Sequence, residues 1–376
     1  MKNLHSEKKI AIVYDWMDKW GGVERVLLYL HTMFPNAVFF TSAYDRKNAA
    51  WASSLTVKTS FIQYIPVCLR SRRAFMMPLY PAAFESFDFS EFDLVISVTS
   101  SFAKGIITKP GTTHVCYLLT PMRYAWSHAE EYLDMFPKSV SRLLTNGLKK
   151  FDVAISKRPD AYISLSKVVA KRCKDYYGIE SSVVYPPFDT DYWLSQESVM
   201  QKINLPKEYF LYVGRMEKYK HVEVIVKAAA KMPEKQFVFV GVGDEERRLR
   251  KIAGKNCLFV GTIKDNELAY VYSHARALIM PQNEDFGYVS LEAQFFGCPV
   301  IAYGKGGALE TIQEGKTGLF FDKQTTQSLL ATLARFNQIS YNLSHQVEQM
   351  GRAHVQKFDG SHFKEDFFYQ LDLIKA

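Results

Sequence analysis

The chain has 376 residues, of which 48% are hydrophobic, so it is long enough to bury two cores and predicts two domains. Its 47 Lys and Arg against 39 Asp and Glu give a formal net charge of +8, which favours anionic partners. No run approaches the roughly 18 uncharged apolar residues of a spanning helix, and the five cysteines form no Cys-x-x-Cys pair. The cysteine spacing therefore predicts no structural metal. Because residues 1–9 are polar and basic, without a signal-peptide core, we expect a cytoplasmic protein.

Short apolar runs alternate with amphipathic stretches along the chain, which is typical of parallel β/α sheets. The first series of predicted strands is Ile10–Tyr14, Ala37–Thr41, Asp93–Val98, Thr113–Tyr117, Ala161–Ser164 and Ser182–Tyr185. The second series is Tyr209–Val213, Phe237–Val240, Leu258–Val260, Ala277–Met280, Pro299–Ala302 and Leu319–Phe321. We therefore predict two α/β domains in tandem.

The break between the two series lies at Pro186 and Pro187, whose rings stop regular structure. We predict an N-terminal domain over 1–188, a hinge at about 186–206 and a C-terminal domain over 206–355. Ligands of open α/β sheets lie beyond the carboxyl ends of the strands, so two such sheets facing each other predict an interdomain cleft. Candidate binding residues are therefore expected in strand-to-helix loops.

Two of these loops carry residues suited to a diphosphate. After the first strand, Gly21 and Gly22 stand at a helix start, where an anion can approach the backbone amides closely. An ordinary structural turn is the alternative. After Tyr209–Val213, Arg215 and Lys220 can converge on a pyrophosphate, the first as a planar fork and the second as a point charge. A solvated basic loop is the alternative there.

The loop after Ala277–Met280 carries the strongest local signal. Glu284 and Glu292 are eight residues apart, which is too far for one carboxylate pair but suits two hydroxyl-rich groups of an extended ligand. The helix N-terminal amides near Phe286–Tyr288 would face a phosphate between them. Acidic capping of the helix is the alternative for Glu284 and Asp285. It does not explain Glu292, which lies within the helix.

Other motifs are weak. The Gly241-Val242-Gly243 loop lacks the third glycine of a dinucleotide site, and neither a P-loop nor a nucleophile elbow is present. Asp189 and Asp191 have the Asp-x-Asp form that can hold a divalent ion, but they lie in the proline-rich linker, away from any strand end. We expect no metal. The aromatic residues occur at core spacing, so we expect no nucleic-acid partner.

Taken in order, these motifs resemble the retaining glycosyltransferases of GT-B fold, glycosyltransferase family four, also called glycosyl transferases group one. The resemblance extends from near residue 10 to near residue 325. It rests on Gly21-Gly22, Gly214-Arg215 with Lys220, Glu284 with Glu292, Gly306-Gly307 with Glu310, and Thr317-Gly318. The fold class that it implies is α/β, with two Rossmann-like domains facing an interdomain cleft.

The resemblance implies transfer of a hexose from a nucleotide-diphosphate sugar with retention of configuration, without metal or cofactor. Glu284, Arg215 and Lys220 are the candidate catalytic residues: the two cations would hold the diphosphate, and Glu284 would contact the donor sugar. The other predicted donor-binding residues are Gly21, Gly22, Ile263 near the base, Asp285, Phe286, Gly287, Tyr288, and Glu292 at the ribose. The last helix, within 356–376, would cross back to the N-terminal domain.

The segment Thr120–Trp126 narrows the resemblance to a bacterial surface-polysaccharide branch with many GDP-mannose-dependent mannosyltransferases. This implies mannose from GDP-mannose and a polysaccharide or lipid-linked oligosaccharide acceptor, as in lipopolysaccharide synthesis. Arg123, Tyr124 and Leu119 would lie on the acceptor side.

The family usually has His where this chain has Leu119, so an imidazole that could bond a sugar hydroxyl is missing. That departure leaves open a non-catalytic nucleotide-sugar-binding subunit of a polysaccharide assembly complex. A sugar phosphorylase of similar fold is a further alternative, but no loop identifies the lysine that would hold its pyridoxal phosphate.

Residues 61–84 mix apolar and basic side chains in a way that suits an anionic membrane surface. The apolar residues are Phe61, Ile62, Ile65, Leu69, Phe75, Met76, Met77 and Leu79, and the basic ones are Arg70, Arg72 and Arg73. A buried segment with a solvated arginine face is the alternative. We predict peripheral contact with the inner face of the cell membrane.

Overall fold

The computed structural model describes residues 8–70, 73–127, 137–196 and 204–375. The chain forms two compact units: the second is Phe188–His362, and the first comprises the residues before and after it. Each unit contains one parallel β-sheet. Within the described ranges, no helix combines the length and the apolar character that a membrane crossing requires.

The first unit is built on a seven-stranded sheet. Its strands are β1 (Ile10–Tyr14), β2 (Val38–Thr41), β3 (Thr56–Thr59), β4 (Leu94–Thr99), β5 (Thr113–Leu118), β6 (Ala161–Ser164) and β7 (Ser182–Val183). They lie in the order β3-β2-β1-β4-β5-β6-β7, and every pair is parallel. The direction of winding changes between β1 and β4, both of which are buried along their whole length.

Helices and short turns connect these strands. They are α1 (Gly22–Met33), α2 (Val67–Arg70), α3 (Arg73–Met76), α4 (Tyr80–Glu85), α5 (Arg123–Trp126), α6 (Lys138–Ile155) and α7 (Lys167–Tyr177), with 3-10 turns at Ala50–Ala52, Phe61–Tyr64 and Ala103–Gly105. α1 buries Val26, Leu27 and Leu30, the apolar stripe expected of an amphipathic helix. α7 begins at the Ser166 cap and ends at Gly178, whose φ of 71° suits glycine.

The second unit is built on a six-stranded sheet. Its strands are β8 (Tyr209–Val213), β9 (Gln236–Val240), β10 (Cys257–Gly261), β11 (Ala277–Met280), β12 (Val300–Tyr303) and β13 (Gly318–Phe321). They lie in the order β10-β9-β8-β11-β12-β13 and all pair in parallel. Here the winding direction changes between β8 and β11.

The helices of the second unit are mostly those that cross over between its strands. They are α8 (Thr190–Ser195), α9 (Val222–Ala229), α10 (Glu246–Ile252), α11 (Asp265–His274), α12 (Tyr288–Phe295), α13 (Ala308–Thr311) and α14 (Thr326–Val355), with 3-10 turns at Lys218–Lys220 and Gln356–Phe358. The last helix, α15 (Gly360–Lys375), belongs to the first unit from Phe363 onward, and the Phe363 ring lies 5.7 and 5.8 Å from the rings of Tyr29 and Tyr117 of the same unit.

The predicted pair of parallel α/β sheets is confirmed, with three local differences. β3 is not predicted, because it is an edge strand with alternating exposed residues and one strongly apolar side chain, Val57. β7 ends at Val183, two residues before the predicted end of the strand. α8 lies in the segment predicted as linker and begins where the Asp189 carboxylate accepts the amide of Tyr192 at 2.9 Å.

Candidate functional site

The candidate donor residues follow two neighbouring strands at the middle of the second sheet. Arg215 follows β8, and Glu284 lies in the loop after β11. β8 and β11 are paired, and the chain winds away from them in opposite directions. The carboxyl ends of parallel strands share one edge, and such a switch point opens a crevice that α/β proteins use for ligands. The sheet thus brings together two loops that are distant in sequence.

Arg215 stands at the solvent side of this edge. Its side chain is 58% exposed, its guanidinium donates to the Tyr219 hydroxyl at 3.2 Å, and it lies 3.7 Å from the Glu217 carboxylate. Behind it, the buried Tyr212 donates its hydroxyl to the Arg215 carbonyl at 2.9 Å. Burial, followed by the charge of Glu284, raises the pKa of Tyr212 well above its usual value, so this donor stays protonated. The loop backbone is therefore fixed while the guanidinium remains accessible.

Lys220 and Glu284 join the two loops directly. The Lys220 ammonium forms an ion pair with the Glu284 carboxylate, and the two side chains are 13% and 18% exposed. Lys220 ends the 3-10 turn, and His221 after it has a φ of 52°, the only positive φ of a non-glycine residue in the described part of the chain. A cation and a carboxylate are thus held side by side at the switch point.

Two glycines of the loop after β12 hold the Glu284 loop in place. The Gly307 amide donates to the Glu284 carbonyl at 2.8 Å, and Glu284 and Gly306 form a parallel bridge. A Cβ on Gly307 would come within 2.4 Å of the Phe286 Cα, and a Cβ on Gly306 would come within 2.3 Å of the Glu284 carbonyl oxygen. Only residues without a side chain permit this contact of backbone on backbone.

α12 begins directly after this loop. Gly287 precedes it with a φ of 93°, and the half-buried Tyr288 is its first residue. The Phe286 ring, 4% exposed, lies 5.3 Å from the Tyr288 ring, and Asp285 is 8% exposed. The positive end of the helix dipole therefore lies next to Glu284.

Glu292 lies on the second turn of α12 and is 5% exposed. Its carboxylate accepts a hydrogen bond of 2.9 Å from the hydroxyl of Tyr272, a buried residue of α11. Tyr272 cannot be identified from the sequence, because a tyrosine in an amphipathic helix carries no signal of its own. A buried carboxylate needs such a donor, so Tyr272 fixes the orientation of Glu292.

Ile263, the predicted contact of the base, lies two residues after β10 and is half-buried. Its side chain packs on the core formed around Val238, Val240 and Leu278. In the sheet, β10 is separated from β8 by β9. Ile263 is thus at the same edge as Arg215 but on the β10 side.

Gly21 and Gly22 lie at the start of α1, after β1, at the switch point of the first sheet. Gly21 has an extended φ of −178°, and a Cβ on it would lie 3.1 Å from the Glu24 carboxylate. Glu24 is buried and accepts a bond of 3.1 Å from the Tyr14 hydroxyl, and burial raises the pKa of Glu24. The glycine loop is therefore backed by a buried acid.

Asp15, at the end of β1, is a structural carboxylate. It is completely buried and accepts the amides of Ser100, Phe102 and Ala103 at 2.8 to 2.9 Å and the Thr99 hydroxyl at 2.9 Å. Burial raises the pKa of Asp15 even though these hydrogen bonds favour its charged form. Its oxygens are engaged by the loop after β4, so its task is to hold that loop.

Two of the predicted acceptor-side residues are buried. Leu119 is 5% exposed and donates its amide to the Thr99 carbonyl at 2.9 Å, and Tyr124 is 8% exposed and belongs to the core of the first unit. Arg123 begins α5 and is half-buried. The prediction for Leu119, Arg123 and Tyr124 remains open, but Tyr124 now has a packing role that the sequence did not indicate.

A fully buried ion pair, which the sequence did not indicate, supports the same segment. Lys104 and Asp152 are both 0% exposed, with 2.6 Å between Nζ and Oδ1. Asp152 Oδ2 accepts the Trp126 indole at 2.8 Å and the Tyr177 hydroxyl at 2.7 Å. Removing one partner of such a pair generally costs about 3–5 kcal/mol, because the other charge is left buried. Lys104 and Asp152 are distant in sequence and belong to no shared motif, so no local sequence pattern predicts that they pair.

No group of three or more His, Cys, Asp or Glu suited to a metal ion occurs among the residues that the structure describes. The Asp-x-Asp pair of the sequence has another use, since Asp189 caps α8. Of the basic residues predicted at a membrane surface, Arg73 pairs with Asp18 and lies 4.1 Å from the Trp16 ring. Arg72 lies outside the described residues.

Comparison with known proteins agrees with the geometry of the second unit. Residues 195–354 match the family glycosyl transferases group 1. This chain is 33% identical to the sulfoquinovosyl transferase SQD2 of Arabidopsis thaliana over 132 residues. The alignment covers 34% of this chain and 26% of that protein. Over 121 residues this chain is 31% identical to a 41.2 kDa protein of the cps region of Klebsiella pneumoniae, covering 32% of each chain. The alignments thus span between a quarter and a third of the length of these relatives.

Solved structures resemble the whole chain. HepE of Anabaena, in complex with UDP and glucose, has a TM-score of 0.72 at 17% identity, covering 97% of this chain and 100% of that one. Sucrose-phosphate synthase of Thermosynechococcus elongatus also has a TM-score of 0.72, at 19% identity, covering 98% and 100%. The predicted fold, with two Rossmann-like domains of GT-B type, is confirmed.

Proposed function

We propose that this chain is a glycosyltransferase that binds a nucleotide-diphosphate sugar in the second unit. The observation that carries the proposal is the Lys220–Glu284 ion pair at the β8–β11 switch point, with Arg215 in the same loop as Lys220, inside the stretch that matches the glycosyl transferases group 1. Two cations and one carboxylate suit a ligand that has a diphosphate at one end and hydroxyl groups at the other.

The reaction places the largest new charge on the departing diphosphate. Arg215 and Lys220 would meet that charge, together with the N-terminal end of α12, so that stabilisation is greatest where charge develops. Glu284, now paired with Lys220, would accept hydrogen bonds from the sugar hydroxyls once the diphosphate engages the lysine. The two cations supply what a divalent ion supplies elsewhere, and we propose transfer without metal and with retention of configuration.

For the donor we propose GDP-mannose, following the family branch that the Thr120–Trp126 segment resembles. The HepE structure, by contrast, holds UDP and glucose. The deciding experiment titrates the protein by calorimetry with GDP, UDP and ADP and their hexose conjugates, first without metal and then with magnesium.

Tight, metal-independent binding of GDP and GDP-mannose is the expected result. Preference for UDP-hexoses would correct the donor and keep the proposed function. A protein that bound none of these nucleotides would not be a glycosyltransferase of this kind.

The proposed acceptor is a polysaccharide or a lipid-linked oligosaccharide, handled at the inner face of the membrane by a cytoplasmic protein. The similarity to a protein of the Klebsiella cps region supports a polysaccharide. In residues 61–84, Phe61, Leu69 and Phe75 are accessible to such a surface, with exposed fractions of 43%, 53% and 57%. Ile62, Met76 and Met77 are instead buried in the core of the first unit.

α6 adds a second apolar surface to the first unit. Leu143 is 73% exposed, and Val140 and Leu144 are each 40% exposed, one helical turn apart. α6 also carries Lys138, Arg142, Lys149 and Lys150, whereas its one acidic residue, Asp152, is buried. A helix with an apolar stripe, several cations and no exposed acidic residue fits the surface of an anionic bilayer.

We expect the protein to float with vesicles of anionic phosphatidylglycerol at low salt and to be released as salt screens the lysines. Replacing Leu143 and Leu144 by serine should lower the bound fraction several-fold, since both apolar contacts and no charges are lost. Tyr341→Ser, at an apolar residue of α14 that is 83% exposed, is the control and should bind as wild type. Absence of binding at low salt would end the membrane proposal.

Leu119 favours a second candidate function, a non-catalytic nucleotide-sugar-binding subunit. Its apolar side chain stands where the family that the chain resembles usually has His, so this position lacks an imidazole that could bond a sugar hydroxyl. For this candidate, wild type would bind the nucleotide sugar without transferring it, and Leu119→His would restore transfer. Turnover by wild type with any polysaccharide acceptor would instead establish the enzyme.

A further inference from the structure

The chain passes between the two units twice, at Pro187–Phe188 and at His362–Phe363. Inside the second unit, the segments next to these two passages are bonded to each other. The Phe188 amide donates to the Phe358 carbonyl at 2.7 Å, and the Thr190 hydroxyl donates to the Asp359 carboxylate at 2.6 Å. Phe188 and Asp359 also form a parallel bridge. The two segments therefore act as one short ribbon, which we call the passage ribbon (Phe188–Thr190 with Phe358–Asp359).

Both aromatic residues of the passage ribbon pack against α12. Phe188 is completely buried, and its ring centroid lies 5.6 Å from that of Phe295, the last residue of α12. Phe358 is 5% exposed, and its ring lies 5.6 Å from that of Phe286, two residues before α12 begins. The helix that carries Glu292 and follows Glu284 is thus held at both ends by one ribbon.

The Phe358 ring packs on a second ring besides that of Phe286. The His354 ring lies 5.9 Å from the Phe358 ring, and burial lowers the pKa of His354, so the imidazole is neutral. Its Nε2 donates to the Thr311 carbonyl at 3.0 Å, and its Nδ1 accepts from Gln313 at 3.2 Å. A ring held in this way has little room to move, so Phe358 gives Phe286 a firm support.

Phe286 has equally little freedom on its backbone side, where it lies against Gly307. Glu284 is two residues away and bonds the same glycine through its carbonyl. Phe286 and the Glu284 carbonyl thus share one backbone contact, which links the position of the ring to that of the Glu284 loop. Arg215 belongs to the separate loop after β8, which has its own support in Tyr212.

We propose that Phe358 is a positioning residue for the sugar half of the donor site. It acts through Phe286 on Glu284, and it links that carboxylate to the passage ribbon. The inference rests on the proposed function, and it predicts something that the function alone does not. Loss of the Phe358 ring should weaken recognition of the donor's sugar and leave recognition of its diphosphate largely intact.

The test compares the affinity of each variant for GDP with its affinity for GDP-mannose, or for the nucleotide pair that wild type binds. Phe358→Ala leaves a gap beside Phe286. We expect its affinity for the nucleotide sugar to fall at least tenfold, with less than a threefold change for the nucleotide. Phe358→Leu, which keeps part of the apolar volume but not the ring, should recover only part of the loss.

Phe336→Ala is the matched control, because Phe336 is a completely buried ring of α14 that packs on Phe210, away from the Glu284 loop. It should lower the melting temperature and leave the ratio of the two affinities unchanged. If Phe336→Ala and Phe358→Ala change that ratio equally, or if neither does, Phe358 has no positioning role.

A second measurement covers the case in which Phe358→Ala does not fold. Amide hydrogen exchange of residues 283–292 in ligand-free Phe358→Leu should be faster than in wild type, and equal exchange rates would overturn the proposal. A wild-type protein that binds neither nucleotide nor nucleotide sugar would overturn the proposed function, and this inference with it. That outcome is visible before any variant is made.

Discussion

Arg215→Ala should lower kcat/KM for sugar transfer by two or more orders of magnitude, about 2.7 kcal/mol of transition-state stabilisation. The guanidinium is exposed and held loosely by Tyr219 and Glu217, so its removal leaves the fold intact. What is lost is a bidentate cation at the diphosphate, whose charge grows as the bond to the sugar breaks. Initial rates over a range of donor concentrations measure the effect.

Arg335→Ala is the control for this variant. Arg335 lies on α14 of the same unit, is 59% exposed against 58% for Arg215, and pairs with one carboxylate, Glu314, at 3.3 Å. Arg335 therefore matches Arg215 in charge, exposure and pairing, but it does not lie in the loop after β8. Near wild-type transfer by Arg215→Ala would remove this residue from the site, and an equal loss in both variants would indicate a general effect of charge.

Glu284→Gln should reduce kcat by about a hundredfold, the usual range for one oriented catalytic group. The amide keeps the size of the side chain but loses the charge that orients the sugar hydroxyls. Lys220 also loses its ionic partner, so its ammonium is free to engage a diphosphate. We therefore expect the affinity for the nucleotide alone to rise a few-fold while transfer falls, a combination that unfolding or general damage does not produce.

Calorimetry of the nucleotide and steady-state kinetics on the same preparation measure both effects. Glu223→Gln is the control, since Glu223 lies on α9 and pairs with Arg248 at 3.0 Å and with Lys227 at 3.6 Å. It should leave transfer and nucleotide affinity unchanged. If Glu284→Gln transfers sugar at the wild-type rate, the Glu284–Lys220 pair is a structural contact of the two loops.

The sequence by itself determined the secondary structure pattern and the loops that matter. Buried parallel strands are continuous apolar runs, so β1, β8, β11 and most other strands can be predicted from the sequence. Glycines and charges at helix starts have a local meaning, and this is why the loops with Gly21, Arg215 and Glu284 are found. Two features were not predicted from the sequence. β3 is an edge strand with alternating exposed residues, so it is not a continuous apolar run, and Asp189 caps a short helix in the segment predicted as linker.

Only the tertiary structure decided which of these residues meet. The order of strands in the sheet makes β8 and β11 neighbours, and the pairing of Lys220 with Glu284 follows from that order. The Tyr272–Glu292 bond, the Lys104–Asp152 pair and the packing of Phe358 on Phe286 likewise join residues from separate elements. Periodicity and propensity act over a few residues, whereas these contacts depend on how distant segments pack, so no local pattern carries them.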